Sequence, residues 1–292
     1  MVRRNAFRWT LVTVVMLGGR LAFADAINFT TGNVEVDMPD TNAAVHVTKV
    51  DSDPLDSIFQ MPEMQSNGNN LINGYAIKDI RTYYDFSTDK LYVGVNAYSI
   101  AGTAVGADGA QGAAMDQILQ SHGGSDPAHL GGDKSITLAF IGTSPNSATT
   151  QGQTIMVAGV PADKSAANPA GTDGFTVASY KGATTLGIQN NYGSILTSNQ
   201  GQLAFDPSSS HPDFEFTINN FSKISPSLDP TKGYFIQAYA GSAQDGPIGE
   251  EVTQAFHVPA VQPQNFPEPS TWLGWSIIVG GSLHQLRRRG KK

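Results

Sequence analysis

Carboxylates gathered in short loops are the residues of this chain best suited to chemistry. Asp51-Ser52-Asp53-Pro54-Leu55-Asp56 places three acids in six positions, and Asp245-Gly246-Pro247-Ile248-Gly249-Glu250-Glu251 places three in seven. Calcium takes about six to eight oxygen ligands, so two such loops and some main-chain carbonyls would have to combine around one ion. Asp51, Asp53, Asp56, Asp245, Glu250 and Glu251 are therefore the candidate calcium ligands. Neither loop follows the EF-hand pattern, and each taken alone reads as a solvated turn. The glycine-rhythm stretch Gly106 to Gly112 carries a single carboxylate, Asp108. His122, Asp126, His129 and Asp133 are close enough in sequence to converge on a transition metal. The glycines around them give no rigid frame, and such spacing arises by chance.

Catalytic signatures are absent from the sequence. There is no G-x-S-x-G elbow, H-E-x-x-H pair, phosphate loop or dinucleotide fingerprint. Glu215 alternates with Phe214 and Phe216, which places it on the outer face of a strand; with Asp213 or Asp206 it would make a glycosidase-type pair. A solvent-facing glutamate is the ordinary reading and is preferred. Tyr83, Tyr92 and Tyr98 also fall on outward positions, where they would stack sugar rings or lie beneath a second sheet; the second is preferred.

The elements that must carry these residues are strands. Ile80, Thr82, Tyr84 and Phe86 alternate with polar residues, a turn follows over Ser87 to Lys90, and Leu91, Val93, Val95 and Ala97 resume the alternation. Further strands are expected at 27–30, 45–50, 135–141, 154–160, 175–180, 185–188, 214–218, 234–240 and 252–256. Only 113–120 reads as a helix, and a short one. Many short strands separated by Gly, Pro, Asn and Asp predict an all-β fold, an antiparallel β-sandwich with long Gly/Ala-rich loops at 99–133 and 161–173. No internal repeat suggests a propeller or solenoid, and one domain over residues 25–258 is expected.

Both ends look like addresses. Residues 1–24 combine Arg3, Arg4 and Arg8, an apolar run from Trp9 to Leu17, and the small residues Ala22 and Ala24, the pattern of a cleavable export signal. Near the other end Pro259, Pro263, Pro267 and Pro269 mark a stiff linker over 259–266 leading into the tail. Leu273 to Leu286 is apolar but shorter than the roughly twenty residues a membrane span needs, so flanking residues must help it cross. Arg287, Arg288, Arg289, Lys291 and Lys292 form a basic stop that would stay cytoplasmic and leave the body outside.

The two ends hold nine of the 18 basic residues and one of the 25 acidic ones, leaving a body with 9 basic and 24 acidic side chains and a net charge near −15. Such a surface excludes phosphate-backbone binding, so nucleic acid is no expected partner; divalent cations fit it better. With no cysteine, disulfides, Cys-based zinc sites and thiol catalysis are excluded.

The Pro267-Glu268-Pro269 box, single apolar segment and arginine-rich end closely resemble the PEP-CTERM sorting signal of exported bacterial proteins. The resemblance covers Phe266 to Lys292. It implies recognition by an exosortase, a membrane-embedded processing enzyme, and delivery to the cell surface or matrix, often among extracellular polysaccharide. His284, Gln285 and the glycines Gly274, Gly280 and Gly281 depart from the usual apolar helix. The hairpin Asp79 to Val95 resembles the strand pair of DOMON and family 9 carbohydrate-binding-module sandwiches, which implies sugar or haem binding in some relatives and assigns no ligand residue here. The expectation is an exported structural or binding module without catalysis; the alternative is a secreted polysaccharide-acting enzyme using the acidic-loop carboxylates.

Overall fold

The computed structural model describes residues 27, 31–50, 75–98, 134–161, 175–182, 187–188, 191–205, 213–242 and 251–262. They form two antiparallel sheets in a sandwich-like arrangement. The first has the order β1-β2-β3-β9-β8, built from β1 (His46–Lys49), β2 (Ile77–Asp85), β3 (Lys90–Ala97), β9 (Phe214–Asn219) and β8 (Gln200–Ala204). The second runs β11-β10-β4-β5-β6-β7 through β11 (Glu251–Val252), β10 (Tyr234–Ser242), β4 (Lys134–Ser144), β5 (Ser147–Val160), β6 (Thr176–Tyr180) and β7 (Tyr192–Ile195), and β12 (Phe256–Val258) pairs with the other end of β10.

Period-two alternation explains how the sheets meet. Ile80, Leu91, Val93, Val95, Phe214, Phe216 and Ile218 point from the first sheet into a core completed by Ile136, Leu138, Phe140, Met156, Ala158, Val177, Tyr234 and Ile236 of the second. Each Val, Leu, Ile, Phe or Met side chain among them, fully removed from water, contributes about 1.5–3 kcal/mol. Phe221, on a 3-10 turn (Phe221–Lys223), lies 5.9 Å from Phe140 and 5.2 Å from Tyr234 between ring centroids. Its turn is tied to the β2–β3 hairpin by Asp89, whose carboxylate accepts from Tyr84 Oη at 2.8 Å and from Ser222 N at 2.9 Å. Burial, then this bond, pushes the Tyr84 hydroxyl up to about 12.

The expected hairpin and the strands at 45–50, 135–141, 154–160, 175–180, 214–218 and 234–240 are present, the fifth-numbered strand being longer than read. Three readings are corrected. Gly187 and Ile188 lie outside any strand, and Ile188 packs instead on a small outer cluster of Ala139, Val157, Ala178, Tyr180 and Tyr192. The run 252–256 is split between β11 and β12; between them Thr253 N donates to the Ala238 carbonyl at 3.0 Å and the Thr253 hydroxyl accepts from Ala238 N at 2.9 Å. Ile27 is not in a strand, and 28–30 lie outside the described residues.

Strands β7 (Tyr-Gly-Ser-Ile) and β8 (Gln-Gly-Gln-Leu-Ala) are additional to the expected set. Gly201 is needed there because a Cβ would stand 2.0 Å from the Thr217 carbonyl oxygen. A one-turn helix α1 (Val34–Asp37) was also missed; Asn33 caps it, its side chain accepting from Val36 N at 3.3 Å. The helix expected at 113–120 lies outside the described residues. Among the described residues no helix is long and apolar enough to cross a membrane.

Candidate functional site: the outer face of the first sheet

Residues that alternate with the core point to the opposite face of the first sheet, and the register lines them into rows. Lys49, Asp79 and Asn96 make one row; Val47, Arg81, Gly94, Glu215 and Ala204 the next; then Tyr83, Tyr92 and Thr217; then Asp85, Lys90 and Asn219. The middle of the first two rows is covered, while Lys49 at the edge is exposed. Residues 31–38 cross them as a strap, and Val34 and Met38 are wholly buried. Gly94 makes room for both, since a Cβ there would lie 2.8 Å from each Val34 methyl and 3.3 Å from Met38 Sδ.

Beneath the strap lies a network of charged groups. Arg81 Nε donates to Asp79 Oδ1 at 2.8 Å, and Arg81 Nη1 to the Met38 carbonyl at 2.8 Å. Asp79 also accepts from Lys49 Nζ at 2.9 Å and Asn96 Nδ2 at 3.2 Å. Burial raises its pKa, but the bonds from Arg81 and Lys49 outweigh that and hold it below the ordinary carboxylate range. Glu35 pairs with Lys78, and that bond, followed by one from Asn96, lowers its pKa as well.

The other half of the network runs the opposite way. Asp213 accepts from Val34 N at 3.0 Å and Ala97 N at 3.2 Å, and Glu215 Oε2 accepts from Gly32 N at 3.1 Å. Burial is the larger influence on both. It pushes Asp213 up to about 7 against the two N–H donors, with the charges of Glu35 and Asp79 adding to the rise. Burial, the Asp37 charge and a side-chain hydrogen bond with Asp37 push Glu215 up to about 9. The outward, solvent-facing reading of Glu215 is therefore overturned: it does lie on the outer face, but the strap covers it and its exposure is zero. With Asp213 only 6 % exposed, the two cannot meet a glycan while the strap is seated.

The third and fourth rows carry a different chemistry. Tyr83 and Tyr92 are half-buried, with ring centroids 5.6 Å apart and planes tilted by 50°, and Lys90 Nζ stands 5.8 Å from the Tyr92 ring centroid. Since the second sheet packs on the opposite side, these tyrosines are not buried between the sheets, contrary to the preferred expectation. Paired rings beside a cation can stack against the CH faces of a sugar and bond its hydroxyls. Tyr98 follows the end of β3, where its N–H donates to the Ala76 carbonyl at 3.0 Å.

Most residues singled out in the sequence fall elsewhere. Asp51, Asp53, Asp56, Asp245, Glu250, His122, Asp126, His129, Asp133 and Asp206 lie outside the described residues, as do Ala22, Ala24, Pro267, Glu268, Pro269, Arg287, Arg288 and Arg289. Glu251 opens β11 opposite Ala240. Among the described residues no group of three or more His, Asp or Glu side chains could hold a metal ion. The buried network of Asp37, Asp79, Arg81 and Asn96 was missed; its sequence signal is a glycine inside a strand, Gly94, flanked by strands with charged outward positions. Comparison with protein-family models, curated proteins and solved structures returned no match to this chain.

Proposed function

We infer that this is an exported bacterial surface or extracellular-matrix protein whose body is a structural or binding module without catalysis, sorted by its C-terminal signal. The observation that carries the reading is the order of the tail: the Pro267-Glu268-Pro269 box, the apolar segment and the arginines Arg287, Arg288 and Arg289. Proline stiffness, lipid solubility and positive charge in that order suit a processing enzyme of the exosortase type working at the membrane. The leader ending at Ala24 supplies the matching export step.

Two features of the outer face support a binding module over a glycosidase. The Asp213 and Glu215 carboxyls are sealed beneath the strap, whereas Tyr83, Tyr92 and Lys90 are half-buried on the rows beyond it. Extracellular polysaccharide is the ligand class that this tyrosine pair suits. Calcium in the acidic loops at Asp51, Asp53, Asp56, Asp245, Glu250 and Glu251 would add stability to a chain that has no disulfide.

The sorting test is deletion of Pro267 to Pro269, which should leave unprocessed precursor in the membrane; unchanged processing removes the tail's role. The binding test is a glycan array with the wild type and Y83A/Y92A. Loss of a bound glycan in the variant supports the platform, and equal binding places the ligand elsewhere.

A further inference from the structure

The tail leaves the body at one end of the second sheet. There Ile141 of β4 pairs with Phe235 of β10, and Tyr234 of β10 pairs with Val258 of β12. Three residues on, Val261 N donates to the Pro230 carbonyl at 2.8 Å, which fixes the chain to the 225–232 turn. From Val261 to Pro267 the chain advances six residues, so the box lies within about 20 Å of that bond even when fully extended. Along β4 the register runs from Lys134 opposite Ser242 to Ile141 opposite Phe235, a height of about 23 Å. The tether is shorter than the sheet is tall, and it holds this end of the body nearest the box.

Beyond Ile141 the β4–β5 hairpin continues as a two-stranded ribbon. Thr143 pairs with Gln151 and Ser144 with Ser147, and Thr143 N donates to the Ser227 carbonyl at 3.2 Å, joining the ribbon to the turn that anchors Val261. Pro145, Asn146, Thr149, Thr150 and Gln151 are exposed, and no charged residue occurs between Lys134 and Asp163.

Charge separates the two ends of the sheet. The sequences that join the opposite end, 99–133, 162–174 and 243–250, carry eight acids and a single lysine. The sequences that join the tail end, 181–191 and 220–233, carry Lys181, Lys223 and Lys232 against Asp229. The β2–β3 hairpin, tied to the same end through Asp89, adds Asp85, Asp89 and Lys90. The Lys223 and Lys232 side chains are 71 % and 63 % exposed. Anionic lipid headgroups repel an acid-rich end and attract exposed lysines near the surface.

Given the tail as a membrane segment, we propose that the ribbon 142–154 and the neighbouring Lys223 and Lys232 form the face of the body that rests on anionic lipid headgroups before the tail is removed. The short tether brings this end to the bilayer, the uncharged ribbon meets no repulsion there, and the two lysines hold it. The acid-bearing connections then join the body at the end turned away from the lipid.

The chain has no cysteine, so single-cysteine variants carry one label each. Residues 25–292 with a fluorophore at N146C, T149C or V252C are reconstituted into phosphatidylglycerol–phosphatidylcholine vesicles bearing a nitroxide headgroup. Val252 is 38 % exposed and pairs with Tyr239, towards the opposite end. Quenching at positions 146 and 149 should exceed that at 252 by about threefold or more, and the excess should fall by about half in phosphatidylcholine alone or in K223E/K232E. Chains that do not float with the vesicles overturn the membrane reading of the tail, and the proposal with it. Chains that float but quench equally at all three positions overturn the proposal alone. An excess indifferent to lipid charge and to K223E/K232E also overturns it, because the tether by itself would then set the orientation. A disulfide-linked dimer of unlabelled T149C in place of quenching would assign the ribbon to a second copy of the chain and overturn it as well.

Discussion

Replacing Arg81 with alanine should destabilise the fold by about 3 kcal/mol, near the low end of the roughly 3–5 kcal/mol typical of breaking a buried ion pair. Arg81 is 3 % exposed and Asp79 is fully buried. The substitution removes the 2.8 Å bond to Asp79 and leaves the Met38 carbonyl without its 2.8 Å guanidinium donor. An orphaned buried acceptor alone costs about 1–3 kcal/mol. Two partners of Asp79 remain and keep the loss from the upper end. Asn96 is 3.2 Å away, and Lys49 is 2.9 Å away but has a side chain 65 % exposed, so water and salt weaken its help.

Urea unfolding of the full chain followed by tryptophan-independent circular dichroism gives the value, and the denaturant slope should be unchanged. The double variant D79L/R81M provides the control, because replacing a buried pair by apolar groups of similar size is often neutral or stabilising. It should recover most of the loss. An R81A variant within about 0.5 kcal/mol of wild type would refute the reasoning, since that is the range of an ordinary surface substitution. A double variant as unstable as R81A would show that packing beneath the strap, and not the stranded Asp79 charge, causes the loss.

G94A should cost about 1–3 kcal/mol by overpacking against Val34 and Met38, with hydrogen exchange at Gly32 and Val34 rising first; an unchanged strap would mean that Gly94 is not what seats it. Thermal melts should show greatest stability in mildly acid solution. Glu215 and Asp213, both raised, lose stabilisation as pH rises towards about 9 and about 7, whereas Asp79, Asp85 and Asp89, all lowered, lose theirs as pH falls through their folded values; a maximum in alkaline solution would contradict this. His46, whose pKa burial and then the charge of His257 depress, contributes stability above its ordinary value of 6.5 that is lost as pH falls below it, and H46F should flatten that part of the curve. Melts with and without chelator should differ if the acidic loops hold calcium, and identical curves would dismiss the ion.

The core was legible because burial on one face imposes alternation. The alternation marks Ile80, Tyr84, Leu91, Val93 and Val95 as inward residues, and they are. The opposite face was not legible in the same way. Alternation says that Arg81 and Glu215 point outward, but whether outward means water depends on a segment more than forty residues before one and about 180 before the other. Short glycine-containing strands failed for a related reason: Gly201 and Gly193 sit in strands because neighbouring backbone comes too close for a side chain, which local propensity reads as loop. The one-turn helix α1 is too short for helical periodicity to register.

Intact-mass measurement of the protein recovered from the cells that make it tests the central claim most directly. The account predicts a chain beginning at Asp25, shortened by processing at the Pro267-Glu268-Pro269 tail, and found in the envelope or medium. A 292-residue chain recovered from the cytosol with Met1 and Lys292 both in place would contradict it.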